Sequence, residues 1–263
     1  MASWHFLTLT TGDRADGTDG RVTRITLDRP ENRNALGLRV MQELVAALQA
    51  VPDDSAVVVL GANGPAFSSG HDLSEMLERE AEFYDELFAV CTELMLALHE
   101  LPQPVVARVQ GVATAAGCQL VAASDLAIAA DTAWFATPGV RIGLFCSTPM
   151  VPLSRAIGRK RALEMLLTGD PVPATTAAEW GLVNRVVPPD ELDHAVDALL
   201  APMLRASPAV LALGKRAFYA QIDRSEADAY GMAAPVMADN AIDPVAQEGI
   251  DAFLTKRDPD WPR

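Results

Sequence analysis

The sequence predicts an α/β fold with a largely parallel sheet, followed by a helical C-terminal section. The first observation is that short apolar runs alternate with amphipathic segments of helical period up to about residue 188, which is typical of strand–helix–strand crossovers. The second observation is that only helical patterns follow that point. We therefore expect a core over residues 1–195 and a helical section over residues 196–263, which closes the pocket and supports oligomerisation.

The first elements expected along the chain are a strand and a helix. The segment "RVTRITLDRP" (21–30) alternates and is rich in β-branched residues, which predicts a strand that ends at Pro30. In the segment 34–50, apolar residues recur at helical spacing, which predicts an amphipathic helix. These apolar residues are Val40, Met41, Leu44, Val45 and Leu48.

The next elements continue the alternation. The continuous apolar run "AVVVLGA" (56–62) is typical of a strand buried on both faces. The segment 82–101 predicts a second helix, which Pro102 and Pro104 end, and the residues from Ala116 onward predict a buried helix. Further strands are predicted at 104–111, 126–130 and 182–187, and further helices at 189–205, 208–221, 225–240 and 244–256.

The composition limits the classes of partner. The chain has 263 residues, half of them hydrophobic, and its formal net charge of −14 argues against nucleic acid or an anionic membrane as the main partner. We expect no membrane span, because the longest apolar stretch, around 104–130, is interrupted by polar side chains. The interrupting residues are Arg108, Gln110, Gln119 and Asp125.

The cysteines and the N-terminus predict the compartment. An odd number of cysteines without paired spacing (Cys91, Cys118 and Cys146) is typical of reduced thiols in a cytosolic chain. The first 17 residues lack a basic region followed by an apolar one, so we expect no secretory signal. We therefore expect a cytoplasmic protein.

Two junctions between a predicted strand and a predicted helix are candidate binding sites. In "GVATAAGCQLVAASDLAIAA" (111–130), residues 115–118 are all small, and a helix that begins there presents free N–H groups and the positive end of its dipole. Such a position can hold a negative oxygen. The alternative is close packing of a buried helix against the sheet.

The second junction is "GPAFSSGHDLSEM" (64–76), which also follows a predicted buried strand. Gly70 permits an unusual backbone angle, which leaves the N–H of His71 free, and Asp72 with Ser74 can begin the next helix. Two backbone N–H groups from separate segments, aimed at one point, form an oxyanion hole.

These segments resemble the crotonase (enoyl-CoA hydratase/isomerase) superfamily. "AFSSGHDL" resembles its A-F-x-x-G-x-D-[LI] segment, and "LDRPENRNAL" (27–36) and "RALEMLLTGDPVPATTAAEWGLVNRVVP" (161–188) resemble other segments in the same order. "GVATAAGCQL" with "GLFCSTPM" looks closest to the enoyl-CoA hydratase domain-containing protein 3 type. The resemblance implies a spiral of ββα units with a helical C-terminal section. It also implies an acyl-CoA thioester as substrate, and trimers or dimers of trimers.

The resemblance implies roles for particular residues. The oxyanion donors would be the N–H groups of His71 and Ala116. The nucleotide of CoA would be held by backbone at 34–36, by the loop 69–73 and by nearby basic residues. The residues expected to bind CoA are Arg29, Asn34, Ala35, Leu36, Ser69, Gly70, Asp72 and Leu73, with Arg33 as a further cation and Lys256 reaching the nucleotide of a neighbouring subunit. CoA would be part of the substrate, with no separate cofactor.

The sequence departs from the family pattern at two catalytic positions. Hydratases of this family use two glutamates, and the matching residues here are Gln119 and Gly139, neither of which can ionise. Because a positioned acid or base contributes about 10²–10⁴-fold, we expect syn-hydration to be feeble. Glutamate at both positions would be expected to raise it.

No other residue is assigned to the chemistry. The ring of His71 would lie close to the hole, where it is expected to pack or to contact the nucleotide rather than to act as a base. Cys118, Cys146, Ser147 and Thr148 would lie beside the acyl pocket, where buried inert thiols are expected, and Glu75 and Glu78 are expected on a solvated face. The four histidines are scattered, so no metal site is expected. The function therefore stays open between a hydratase-type enzyme, an isomerase or thioesterase that uses the same hole, and a non-catalytic acyl-CoA-binding protein.

Overall fold

Two β-sheets and ten α-helices form the part of the chain that the structure describes. The structure is a computed structural model and describes residues 4–13 and 21–261. The segment expected to lack a secretory signal therefore lies partly outside the described residues. No single described helix is long and apolar enough to cross a membrane; only a bent pair, residues 189–205 and 208–221, reaches that length and composition.

The larger sheet has six strands in the order β1–β2–β3–β5–β7–β10. Its pairs are parallel except for the antiparallel hairpin of β1 and β2. All residues of β3 are buried, as the unbroken apolar run predicted. The strands are β1 (Leu7–Asp13), β2 (Arg21–Leu27), β3 (Val57–Ala62), β5 (Val105–Val109), β7 (Leu126–Ala130) and β10 (Arg185–Val187).

The smaller sheet has four strands in the order β4–β6–β8–β9, and the sequence analysis predicted none of them as separate strands. They have only two or three residues each, which is too short for an alternating pattern to be visible. β4, β6 and β8 run parallel, and β9 is antiparallel to β8. The strands are β4 (Ala66–Ser68), β6 (Val112–Thr114), β8 (Trp134–Ala136) and β9 (Val172–Pro173).

The helices agree with the predicted ones apart from the start of the first helix. Three further helices, at 150–156, 159–168 and 174–180, were not among the predicted ones. The first helix begins at Leu38 and not at 34, because Asn34 has a positive φ of 52° and Leu36 pairs with His71 as an isolated bridge. The helices are α1 (Leu38–Gln49), α2 (Ala81–Glu100), α3 (Ala116–Ala123), α4 (Met150–Ala156), α5 (Arg159–Thr168), α6 (Ala174–Trp180), α7 (Leu192–Arg205), α8 (Pro208–Gln221), α9 (Glu226–Ile242) and α10 (Pro244–Thr255).

The chain alternates between the two sheets and then adds a helix. β3, β4 and α2 form one such turn, β5, β6 and α3 the next, and β7, β8 and α4 the third. This is the spiral of ββα units that the resemblance implied. In each turn, the loop that follows the short strand therefore lies at the same edge of the smaller sheet.

The core has two apolar layers. The larger cluster lies between the two sheets and the helices α1, α2 and α3, with Phe67 and Phe135 among its fully buried side chains. The second covers the other face of the large sheet, where Leu192, Val196 and Leu200 of α7 are fully buried. In the C-terminal section, α8 packs against α2, whereas α9 and α10 contain no more than one buried residue between them.

Candidate active site

The geometry of the smaller sheet brings the two predicted junctions together. β4 and β6 are parallel neighbours, so their carboxyl ends meet at one edge. The first leads to Gly70 and His71, and the second to Ala115 and Ala116 at the start of α3. The convergence therefore follows from strand pairing, which the sequence alone does not specify.

Gly70 makes the contact between these junctions. Its φ is +88°, and a Cβ placed on it would lie 2.7 Å from the Cβ of Ala115 and 3.1 Å from the backbone nitrogen of Ala116. Among the described residues, neither the N–H of His71 nor the N–H of Ala116 donates a hydrogen bond. The arrangement thus presents two unpaired amides from adjacent loops.

Contacts within the chain constrain two of the small residues at 115–118, namely Ala115 and Gly117. Ala115 has a φ of 48° and its N–H donates to the carbonyl of Ala136 at 2.9 Å, which fixes the turn into α3. A Cβ on Gly117 would overlap the carbonyl oxygen of Ser68 and lie 2.8 Å from the Ser68 Cβ. Close packing of helix against strand, the alternative reading of this stretch, therefore accounts for Gly117.

Gln119 lies one turn into α3 and is buried with 3% of its surface exposed. Its Oε1 is 3.8 Å from the thiol of Cys91, which is the donor. Its amide nitrogen has no hydrogen-bond partner among the described residues. An amide at this position can orient a ligand or a water molecule but cannot take a proton at neutral pH.

Gly139 leaves no room for a side chain. It follows β8, and a Cβ there would overlap the carbonyl oxygen of Leu144 and lie 2.9 Å from the sulfur of Cys146. The N–H of Leu144 donates to the carbonyl of Gly139 at 2.9 Å and so holds this loop closed. The expectation that glutamate at both 119 and 139 raises hydration is therefore corrected at residue 139, which cannot accept glutamate without rearrangement.

Three buried thiols lie near Gln119 or Gly139: Cys91 contacts the side chain of Gln119, Cys118 precedes Gln119 in the chain, and Cys146 lies beside Gly139. Burial raises the pKa of Cys91 to about 11 and that of Cys118 to about 12, and it also raises the pKa of Cys146. All three are therefore protonated at neutral pH and unreactive, as expected for Cys118 and Cys146. The sequence analysis named Cys91 only as one of three reduced thiols.

The ring of His71 has one fixed nitrogen and one unpaired nitrogen. Its Nδ1 lies 3.3 Å from the carbonyl oxygen of Leu36, and the ring packs edge-on against Phe88 at a centroid distance of 5.5 Å. The Nε2 is buried and has no hydrogen-bond partner among the described residues. Burial lowers the pKa of His71, so the ring is neutral at pH 7. An unpaired buried polar atom costs about 1–3 kcal/mol of stability.

Most of the residues expected to hold the nucleotide make contacts within the chain. The buried Asn34 side chain accepts from the N–H of Arg29 at 2.8 Å and donates to the carbonyls of Asn63 and Ala66, each at 2.8 Å. The guanidinium of Arg29 lies over the ring of Phe6 at 5.1 Å. Asn34 therefore joins three loops, a role that its sequence position did not reveal.

The loop 69–73 is tied to the segment 34–36. The N–H of Leu36 donates to the carbonyl of Gly70 at 2.7 Å, and the N–H of Ser69 donates to the carbonyl of Arg33 at 3.0 Å. Asp72 caps the short 3-10 helix that begins at the exposed Leu73, and its Oδ1 accepts from the N–H of Ser74 at 3.2 Å. Ala35 is buried between these segments.

Two further predictions concern charged residues. Glu75 is not on a solvated face, because its carboxylate accepts from the N–H of Leu38 at 3.0 Å and so caps α1, whereas Glu78 is exposed. Lys256 ends α10 with a φ of 56°, and no hydrogen bond or ion pair joins it to the loops at 34–36 and 69–73 in the described part of this chain. No cluster of potential metal ligands occurs among the described residues.

A cavity of about 830 Å³ extends from Gln119 between α2, α4 and α8. Its polar lining includes His99, Asp125 and Tyr219, which the sequence analysis did not select. Asp125 accepts from the hydroxyl of Tyr219 at 2.7 Å and pairs with Lys215 at 2.7 Å, and the ring of His99 stacks on Tyr219 at 4.0 Å. His99 and Tyr219 lie on the helices α2 and α8, and Asp125 lies between α3 and β7. Because these segments are far apart in the chain, no local motif indicates the three residues.

Comparison with known proteins identifies the family. Residues 17–263 match the enoyl-CoA hydratase/isomerase family model. The chain is 44% identical over 256 residues to enoyl-CoA hydratase domain-containing protein 3, mitochondrial, of Rattus norvegicus, an alignment that covers 96% of this chain and 84% of the rat protein.

Solved structures agree with this result. An enoyl-CoA hydratase from Mycobacterium smegmatis superimposes with a TM-score of 0.91 at 48% identity, covering 96% of this chain and 98% of that one. Human enoyl-CoA hydratase domain-containing protein 3 superimposes with a TM-score of 0.90 at 42% identity, covering 96% and 99% of the two chains. The crotonase fold and the resemblance to this type are thereby confirmed.

The expected cytoplasmic location is wrong by the same comparison. The rat, mouse, frog and human relatives are all named as mitochondrial proteins. Reduced thiols indicate only a reducing compartment, and the cytoplasm is not the sole compartment of that kind. The fold, the two converging junctions and these matches together lead to one conclusion: the chain belongs to the enoyl-CoA hydratase/isomerase family.

Proposed function

We propose that this protein processes acyl-CoA thioesters by stabilising an enolate in a two-amide oxyanion hole. The proposal is supported by the close approach of Gly70 to Ala115 and Ala116, and by the absence of a hydrogen bond from the N–H groups of His71 and Ala116 among the described residues. A donor of this kind contributes about 3–4 kcal/mol of barrier reduction. CoA enters as part of the substrate, and no separate cofactor is required.

The binding of CoA would use the loops that flank the hole. In this proposal the adenosine and pantetheine parts lie against the exposed Leu73 and the surface of the loops 34–36 and 69–73, with Arg29 and Arg33 near the phosphates. The N–H groups at 34–36 already donate within the chain. Lys256 reaches this nucleotide only from a neighbouring subunit. The acyl chain extends past Gln119 towards the cavity between α2, α4 and α8.

Hydration is slow in this proposal because the chain lacks both glutamates. Gln119 orients the substrate or a water molecule, and Gly139 contributes no side chain. The same observation keeps two alternatives open: an isomerase or thioesterase that uses the hole with other groups, and a non-catalytic acyl-CoA-binding protein. Turnover of a panel of enoyl-CoA and saturated acyl-CoA esters by the purified protein separates these activities.

A substitution at residue 119 tests the position of the hole. Gln119→Glu supplies a carboxylate one helical turn from Ala116 and is expected to raise the hydration of crotonyl-CoA by roughly 10²-fold, measured by the loss of enoyl absorbance. Gln49→Glu, at an exposed position of α1, is the matched control and leaves the rate unchanged. If Gln119→Glu folds and hydrates no faster than the wild type, residue 119 does not face the β-carbon.

Hydration by the wild type at ordinary hydratase rates would contradict the proposal of a weak hydratase.

We also propose that the protein self-associates as a homotrimer or hexamer. The C-terminal helices expose large apolar side chains, for example Phe253 at 83%, Leu254 at 72% and Met237 at 70%. Apolar surface of this extent is characteristic of a face covered by another subunit. The association would bring Lys256 of one subunit near the nucleotide site of the next.

A further inference from the structure

At the two positions where the family has glutamates, this chain has no group that can accept a proton. Gln119 and Gly139 have no basic function, and the thiols of Cys91, Cys118 and Cys146 are protonated. The carboxylate of Glu75 is occupied by the N–H of Leu38. A basic nitrogen is nevertheless present within the residue that forms half of the hole.

The protonation pattern of His71 is fixed by its surroundings. The carbonyl of Leu36 can only accept, so the Nδ1 at 3.3 Å must carry the ring proton. The Nε2 is then a lone-pair acceptor, and it is buried without a partner among the described residues. Buried acceptors in native structures nearly always have a partner, so an orphaned one beside the proposed hole is a candidate contact for a ligand.

The covalent structure places this nitrogen near the proposed hole. The amide and the ring of His71 share one Cα, so the Nε2 lies within one histidine side-chain length of the amide nitrogen that would hold the carbonyl. The α-carbon of a thioester is directly bonded to that carbonyl carbon. Phe88 of α2 packs edge-on against the ring and restricts its rotation.

We propose that the Nε2 of His71 is the proton acceptor of this site and removes a proton from the α-carbon of the bound acyl-CoA. The Nε2 lone pair forms the new N–H bond, and the electron pair of the broken C–H bond becomes the C=C of the enolate. The negative charge passes to the thioester oxygen, which the N–H groups of His71 and Ala116 hold. The reverse step returns a proton from the imidazolium to carbon, so no other reactant is consumed. This inference rests on the proposed acyl-CoA site.

The test is exchange of the C2 protons of butyryl-CoA in D₂O, followed by NMR, with binding of butyryl-CoA measured separately by calorimetry. The wild type is expected to bind the ester and to incorporate deuterium at C2. His71→Asn keeps the backbone N–H and a donor to the Leu36 carbonyl but has no Nε2, so it is expected to bind the ester and to lose at least about 100-fold of the exchange rate. His194→Asn, at an exposed histidine, is the matched control and exchanges as the wild type does.

The pH profile gives a readout that a structural role of His71 would not change. Exchange requires the neutral ring, and burial holds the pKa of His71 below its ordinary value. The wild-type rate is therefore flat through neutral pH and falls in acid below that ordinary value. The ring contacts Phe88 and the Leu36 backbone; of the neighbouring carboxylates, Asp72 is bonded to Ser74 and Glu75 to Leu38, so neither faces the ring as a free charge.

The outcomes separate this inference from the proposed function. Absence of butyryl-CoA binding to the wild type overturns the acyl-CoA site and the inference with it. Binding without wild-type exchange, or with exchange that His71→Asn leaves intact, overturns the inference alone. If His71→Asn does not fold, His71→Gln, which keeps a polar acceptor but no base at that position, is expected to bind without exchange; exchange by this variant contradicts the proposal.

Discussion

Gly70 meets two constraints at once, because its φ is positive and a side chain on it would overlap the neighbouring junction. The resemblance of "AFSSGHDL" to a family segment indicated that a glycine belongs there. It did not indicate that Ala115 would be the residue in contact, since that depends on β4 and β6 being parallel neighbours. The motifs thus predicted the two junctions, whereas the contact between the junctions could not be predicted from them.

Gly70→Ala is expected to destabilise the protein by roughly 2–4 kcal/mol, from a strained φ and from overlap with Ala115. The free energy of unfolding in urea measures this effect. Gly214→Ala is the matched control, because nothing lies within 4 Å of its added methyl group, and it should stabilise α8 by roughly 0.5–1 kcal/mol. Equal stabilities of the two variants would contradict the close contact.

Other residue roles were beyond sequence reasoning for a physical reason. Asn34 uses its whole side chain to join three loops, and Glu75 caps a helix that begins 37 positions earlier in the chain. Such bonds depend on the folded arrangement of distant segments. The sequence analysis expected backbone around Asn34 to hold CoA and placed Glu75 on a solvated face.

At the scale of elements, long periodic segments were predicted well and short strands were not. The four C-terminal helices were located within a few residues, because each repeats its apolar pattern over at least three turns. β4, β6 and β8 have three residues each and leave no pattern, yet they create the edge where the site lies. The spiral of ββα units was predicted from the family resemblance and not from the periodicity of the sequence.

The attachment of α8 to the core depends on a buried ion pair. Lys215 pairs with Asp125 at 2.7 Å and donates to the carbonyls of Leu98 and Gln103, with only 6% of its side chain exposed. Burial lowers the pKa of Lys215, and the carboxylate of Asp125 opposes that shift. The pair fixes one wall of the cavity to the end of α2.

Lys215→Met is expected to lower the free energy of unfolding by about 3–5 kcal/mol, because it leaves the Asp125 carboxylate buried without its cation. Chemical denaturation measures the loss. Lys160→Met removes an exposed lysine and should leave stability within about 0.5 kcal/mol. The double variant Lys215→Met/Asp125→Asn should recover part of the loss, and failure to recover any would show that packing and not charge dominates.

At the scale of the whole molecule, the C-terminal section determines assembly in our proposal. Phe253 is 83% exposed on α10, in a helix with one buried residue. Phe253→Glu is expected to shift the protein from trimer or hexamer to monomer, measured by light scattering coupled to size exclusion. Thr175→Glu adds the same charge at an exposed position of α6 and should leave the mass unchanged. A wild-type monomer at micromolar concentration would contradict the proposed assembly.

The proposed function requires two amides that bind one oxygen, and a crystal structure with butyryl-CoA would show this binding. We predict that the thioester oxygen lies about 2.7–3.1 Å from the backbone nitrogens of both His71 and Ala116. A bound ester whose oxygen contacts neither amide, or only one of them, would contradict the account.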